Sequence, residues 1–235
     1  MVGLAGFDFV LIDGEHGSGD HQAHLACLQG VAATQAHSIF RVECNDPTVL
    51  KRALDLGVEG VMVPNVASVA EARAVVASCQ YAPKGVRGFA ASGVRASDYG
   101  FQTERYLRDA GSELLIAVMI ESRAGVEDIV NIASVDGIDV IQVGANDLSY
   151  DLGIPEQFDH PLLTDAISRI EDAALKHGKA LGGAPVCCDV LTLLRRGYRL
   201  ITLGRDVSLL GKGLTHTLSA ATASIRVWRS AGDEK

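Results

Sequence analysis

FDFVLIDGEH, residues 7–16, runs from an uncharged apolar core at 9–12 straight into Asp13, Gly14, Glu15 and His16. A short stretch of β-branched, aliphatic and aromatic residues with almost no polar alternation reads as a strand buried on both faces, the pattern of a parallel sheet. That strand delivers three ionisable groups to one edge. The same punctuation recurs: Gly6 and Asp13, Gly57 and Pro64, Gly137 and Gly144, and Gly197 and Gly204 are equally spaced. Each interval encloses an apolar run, FVLI, VMV, VIQV or LITL. One unit is repeated, in which a glycine closes a helix, a buried strand follows and a loop comes at a fixed distance.

Working outward, the chain alternates strand and helix. Strands are expected to start near residues 7, 38, 60, 114, 139, 180 and 200. Asp46 with Pro47 marks one helix start and Ser68 with Glu71 another. Further helices are expected over 21–34, 103–110, 126–133, 161–177 and 190–195, and over the tail at 208–228. The stretch 81–99, rich in glycine and small residues, interrupts the pattern, and a loop of that length inside a compact domain is usually functional. A parallel sheet of such units is either open and doubly wound or closed as a (β/α)8 TIM barrel. DGEHGS is not the glycine-rich fingerprint of an open nucleotide-binding sheet, which favours the barrel, with residues 1–235 as one domain. The strand count is one short. Residues 1–6 resemble the tail of a helix that a first strand would precede; otherwise a seam stays open between the strands at Phe7 and Leu200.

The 235 residues are 48% apolar, with a formal charge of -8 and no basic block, which argues against a nucleic-acid partner. The longest apolar run, 114–120, falls far short of the roughly 20 residues a membrane span needs. With no basic and hydrophobic leader, and five cysteines that include no CxxC, a cytoplasmic protein with reduced thiols is expected. Cys187 and Cys188 read as packing residues.

Barrel catalysts project from the C-terminal ends of strands. Those ends carry Asp13, Glu15 and His16, Arg41, Asn65, Glu121, Asn146 and Asp147, and Arg205 and Asp206. No lysine stands at such an end, which argues against Schiff-base chemistry. Two carboxylates on separate segments, Glu121 and Asp147, suit a hard divalent ion such as Mg²⁺ or Mn²⁺, with Co²⁺ or Zn²⁺ as alternatives. An arginine on a neighbouring wall would grip a substrate carboxylate in a fork. A carboxylate like Asp147 also has a capping role open to it. His21 and His24 read as a solvated helix face rather than as a zinc cluster.

DGEH (13–16), Arg41 followed by NDP (45–47), LDLG (54–57), GVRG (85–88), MIES (119–122) and GANDLS (144–149) together resemble the HpcH/HpaI aldolase/citrate lyase family. The resemblance implies a (β/α)8 barrel and a metal-dependent, class II pyruvate aldolase that cleaves a 4-hydroxy-2-oxo acid to pyruvate and an aldehyde. It implies Glu121 and Asp147 as metal ligands, Arg41 as binder of the pyruvate moiety, and His16 as general base oriented by Asp55. Asn146 and Ala184 would contact substrate through main chain, and Asp13 and Glu15 would orient water or ligands. It also implies a homo-oligomer, a hexamer, with C-terminal helices exchanged between subunits. Two positions depart from the family's usual pattern: Met119 replaces a glutamine and Ala145 a proline. An oxaloacetate decarboxylase, a citryl-CoA lyase-like enzyme and a non-catalytic barrel are the competing readings. No clear basic groove for a CoA nucleotide is evident. The loop 81–99 is expected to line part of the acceptor pocket.

Overall fold

The computed structural model describes residues 1–232. Seven strands form one parallel sheet in chain order: β1 (Phe9–Asp13), β2 (His37–Arg41), β3 (Gly60–Val63), β4 (Leu115–Ile120), β5 (Val140–Val143), β6 (Ala180–Gly183) and β7 (Tyr198–Ile201). They curl into a half-barrel carrying helices, and β1 and β7 are the outermost strands of the pairing order. The repeat seen in the sequence has a physical basis. Gly6, Gly57, Gly137 and Gly197 all adopt positive φ, between 78° and 96°, a conformation open to glycine and strained for most other residues.

Alternation along each strand splits the side chains into two layers. The larger cluster includes Ile12, Phe40, Val61, Val63, Ile116, Val118, Ile120, Ile141 and Leu181. The smaller one, on the concave side, is built from Ile39, Met62, Ala117, Met119, Val140 and Leu200, with Phe9, Leu11, Leu115 and Ala180 against it. Burial on both faces is why the central strands β3, β4 and β5 read as unbroken apolar runs, whereas β1, at the edge of the pairing order, is half-buried except at Ile12.

Helices α1 (His21–Ala32), α2 (Pro47–Asp55) and α3 (Val69–Cys79) follow the first three strands. Asp46 caps α2 by accepting from Thr48 N and Val49 N at 2.7 and 3.2 Å, and Ser68 caps α3 by accepting from Glu71 N at 3.3 Å. Two departures concern helices. The segment expected as one helix over 126–133 is two short ones, α5 (Arg123–Glu127) and α6 (Ile129–Ala133), after α4 (Thr103–Asp109). GANDLS is not a plain loop: α7 (Ala145–Asp151) begins immediately after β5. His24 is not solvated either. It is buried, edge-on to Phe40 with ring centroids 4.9 Å apart, while His21 is exposed. Helices α8 (Pro161–Lys176) and α9 (Val190–Arg195) complete the repeats.

Among the described residues, 203–232 form a second unit, containing α10 (Asp206–Gly232). Val207, Leu210, Leu214, Leu218, Ile225 and Trp228 recur along it at helical spacing and are all exposed. No helix among the described residues is long and apolar enough to cross a membrane.

Candidate active site

Between successive strands of a parallel sheet the chain returns through helices, so the C-terminal strand ends define one rim of the sheet and the segments leading into the strands the other. The first rim gathers the ionisable residues. At the end of β1, Asp13 Oδ1 accepts main-chain N–H groups of Glu15 and His16 at 3.1 and 3.2 Å, which fixes the DGEH turn. Its register partner on β2 is Arg41. Arg41 Nε and Nη2 donate to the two oxygens of Asp13 at 2.9 and 2.6 Å, and Nη1 pairs with Glu15 Oε2 at 2.9 Å. Arg41 is buried. Burial alone would lower its pKa, but the bond to Asp13 and the charges of Asp13, Glu15 and Glu121 outweigh it and hold the guanidinium above its ordinary value. Burial likewise acts to raise Asp13, and the Arg41 and main-chain hydrogen bonds overcome it and keep the carboxylate ionised. His16 is exposed, its Nε2 3.5 Å from Glu15 Oε2.

Glu121, one residue past β4, is buried, and Asn65 N donates to its Oε1 at 2.7 Å. Asn65 reaches that geometry with φ of 51°, a left-handed backbone uncommon outside glycine and frequent at functional sites. A Cβ on Gly144 would come within 2.6 Å of Glu121 Oε2, so glycine leaves that oxygen approachable. The Glu121 pKa is pushed up to about 7, by burial first and by the charges of Asp147 and Glu15, against the Asn65 hydrogen bond and Arg41. Asp147 lies in the first turn of α7 and is exposed.

Among the described residues no group of three or more His, Cys, Asp and Glu has metal-binding geometry. The donor chemistry nonetheless fits a divalent cation. Glu121 is raised first by burial and in smaller part by the charge of Asp147 on the adjacent strand end, and a hard ion that keeps water or substrate oxygens in its remaining positions needs few protein ligands. Asn146, beside Asp147, and Ala184, just past β6, lie on the same rim.

Asp55 does not join them. It ends α2 and therefore sits on the opposite rim, just ahead of β3, on the order of 15 Å from the strand ends. Its carboxylate pairs with Arg87 at 2.8 Å, so it cannot orient His16 of the same chain. The stretch 81–99, expected to line the acceptor pocket, likewise stands away from this rim of its own chain. That segment follows the end of α3 and precedes β4, and Arg87 on Asp55 and Arg95 on the Leu56 carbonyl tie it to the end of α2. Arg87 is also stacked 4.6 Å over the Tyr81 ring.

One polar residue on the concave side was not anticipated. Gln142 on β5 is 5% exposed, and its Oε1 has no hydrogen-bond partner among the described residues, a vacancy that costs about 1–3 kcal/mol in a protein interior. The single polar letter in VIQV was its signal in the sequence.

Residues 1–212 match the family model for HpcH/HpaI aldolase/citrate lyase. A 4-hydroxy-2-oxovalerate aldolase of Rhodococcus jostii (strain RHA1) is 40% identical over 227 residues, spanning 94% of this chain and 85% of the relative. A 5-keto-4-deoxy-D-glucarate aldolase of Enterobacter sp. (strain 638) is 36% identical over 210 residues, covering 89% and 81%. Among solved structures, an HpcH/HpaI aldolase/citrate lyase family protein from Burkholderia cenocepacia J2315 superposes with a TM-score of 0.88 at 31% identity, over 94% of this chain and 88% of that one.

Proposed function

Because the chain belongs to the HpcH/HpaI aldolase/citrate lyase family and is an aldolase-type carbon–carbon lyase, we propose that it reversibly cleaves a 4-hydroxy-2-oxo acid to pyruvate and an aldehyde with a divalent metal ion, Mg²⁺ or Mn²⁺. The observation that carries this reading is Glu121: a buried carboxylate with its pKa raised to about 7 by burial and by Asp147 and Glu15 is a position that a bound cation relieves.

In this reading Glu121 and Asp147 hold the ion, which when bound polarises the substrate's C2 oxygen as the carbon bond breaks. Arg41 adds fixed positive charge beside that oxygen, and Asp13 and Glu15 hold its guanidinium in place. His16, exposed and paired only loosely with Glu15, is free to take the proton from the C4 hydroxyl, and an imidazole is well matched to that task near neutral pH. Main chain at Asn146 and Ala184 lines the substrate. The exposed apolar stripe of α10 supports assembly into a homo-oligomer, and the free cysteines support a cytoplasmic home.

The test is pyruvate release from a panel of 4-hydroxy-2-oxo acids with Mg²⁺, Mn²⁺ or Co²⁺ and with a chelator. Cleavage that a chelator abolishes and metal restores is expected, together with loss of turnover in His16→Ala. Cleavage indifferent to chelation, or absent across the panel with every metal, would overturn the reading.

A further inference from the structure

Below the carboxylates, the concave side of the sheet holds an amide that the chemistry above leaves unused. Gln142 is in register with Met119 on β4 and Gly182 on β6. Met119 belongs to the concave cluster and precedes Glu121 by two positions, so both face the same side; Gln142 therefore stands one layer under Glu121, on the order of 6–7 Å along the strand direction. Its carboxamide leans over β6, where Gly182 has no side chain and an added Cβ would collide with Oε1. A second orphan accompanies it. Thr202, in alternation with concave-facing Leu200, the register partner of Gly182, has a buried hydroxyl without a partner among the described residues. An apolar residue would fill either place without leaving a polar atom unpaired, and two such atoms on the concave side beneath the carboxylates are placed where a ligand could supply the partner.

The partner follows from charge. The anchoring end of a 2-oxo acid offers acceptors, a carboxylate and a keto oxygen. Arg41 is already gripped by Asp13 and Glu15, and the rim carries Glu121 and Asp147 besides. A further carboxylate is best held there by neutral donors. We propose that Gln142 is a substrate-binding residue whose carboxamide donates a hydrogen bond to the carboxylate end of the bound 2-oxo acid, with the Thr202 hydroxyl, two positions past Leu200, as a second donor. Which end of the amide carries oxygen is an assignment, and the donor end turns to the ligand when one is present. The inference rests on the aldolase reading and adds the residues that select for an oxo acid.

The test compares wild type, Gln142→Leu and Gly182→Ala, each loaded with Mn²⁺. Oxalate, a planar mimic of the pyruvate enolate, is titrated by calorimetry, and KM and kcat are measured for a 4-hydroxy-2-oxo acid. Both variants are expected to bind oxalate on the order of tenfold more weakly and to raise KM more than they lower kcat. The melting temperature of Gln142→Leu should not fall, because a buried orphan has been removed. Oxalate affinity and KM within twofold of wild type in a folded variant would overturn the proposal. Gly182→Ala, with the amide intact but displaced, gives the same comparison should Leu at 142 not fold. Wild type that neither binds oxalate nor cleaves the substrate sinks the aldolase reading and this proposal with it; wild type that does both beside unaffected variants sinks only the role of Gln142.

Discussion

Arg41 and Asp13, register partners on β2 and β1, form a two-bond fork at 2.9 and 2.6 Å. The side chain that neutralises the rim is thus positioned by the strand pairing itself, and Glu15 closes on its third nitrogen at 2.9 Å. A lysine cannot reproduce that planar grip. Arg41→Lys is expected to lower kcat/KM on the order of 10²-fold, and Arg41→Ala further, because the developing charge loses a preorganised donor. Steady-state kinetics at saturating Mn²⁺ provide the check; a lysine variant within threefold of wild type contradicts the role.

Glu121 makes metal-free stability depend on pH. Its folded pKa of about 7 lies above the ordinary 4.5, so between those values the folded state binds more proton than the unfolded one. Stability therefore falls as pH rises through that window, by about 3 kcal/mol in all. Chelated protein should melt lower at pH 8 than at pH 5 on this account, Glu121→Gln should flatten the dependence, and Mn²⁺ should restore the wild type at pH 8. Melting curves that leave Glu121→Gln and wild type parallel across this range count against it.

Asp55 and Arg87 make a nearly buried pair on the opposite rim, with the Arg87 side chain 2% exposed. Removing one partner strands the other charge, and Asp55→Ala should cost on the order of 3 kcal/mol in denaturant unfolding. A loss below about 0.5 kcal/mol means that the pair is not holding 81–99 against the end of α2.

Asn65 donates its main-chain N–H to Glu121 from a left-handed backbone. Asn65→Gly keeps that conformation open, whereas Asn65→Val disfavours it by about 1–2 kcal/mol and turns the donor away. Calorimetry should find Mn²⁺ affinity close to wild type in the glycine variant and clearly weaker in the valine variant. Equal affinities would remove Asn65 from the account.

Much of this was legible in the amino acids. Doubly buried strands announce themselves as uncharged runs, and the glycines at 6, 57, 137 and 197 marked the helix ends because their positive φ leaves few alternatives. Asp46 and Ser68 were readable as caps because their oxygens can serve only nearby N–H groups. Asp55 and 81–99 stand on the other rim of their own chain, which neither motif resemblance nor loop length could tell. Their position ahead of a strand, rather than after one, carried that information. His24 was misread because helical spacing alone cannot see Phe40 waiting on β2. Gln142 was hidden in VIQV, where one polar letter among β-branched neighbours was absorbed into the apolar run.

The central claim is that Glu121 and Asp147, from adjacent strand ends, share one divalent cation. Calorimetric titration of chelator-treated protein with Mn²⁺ at pH 7.5 tests it directly: one site per chain in wild type, with affinity lost in Glu121→Gln and in Asp147→Asn while both variants stay folded. Wild type that takes up no Mn²⁺, or variants that bind it as tightly as wild type, would contradict the claim.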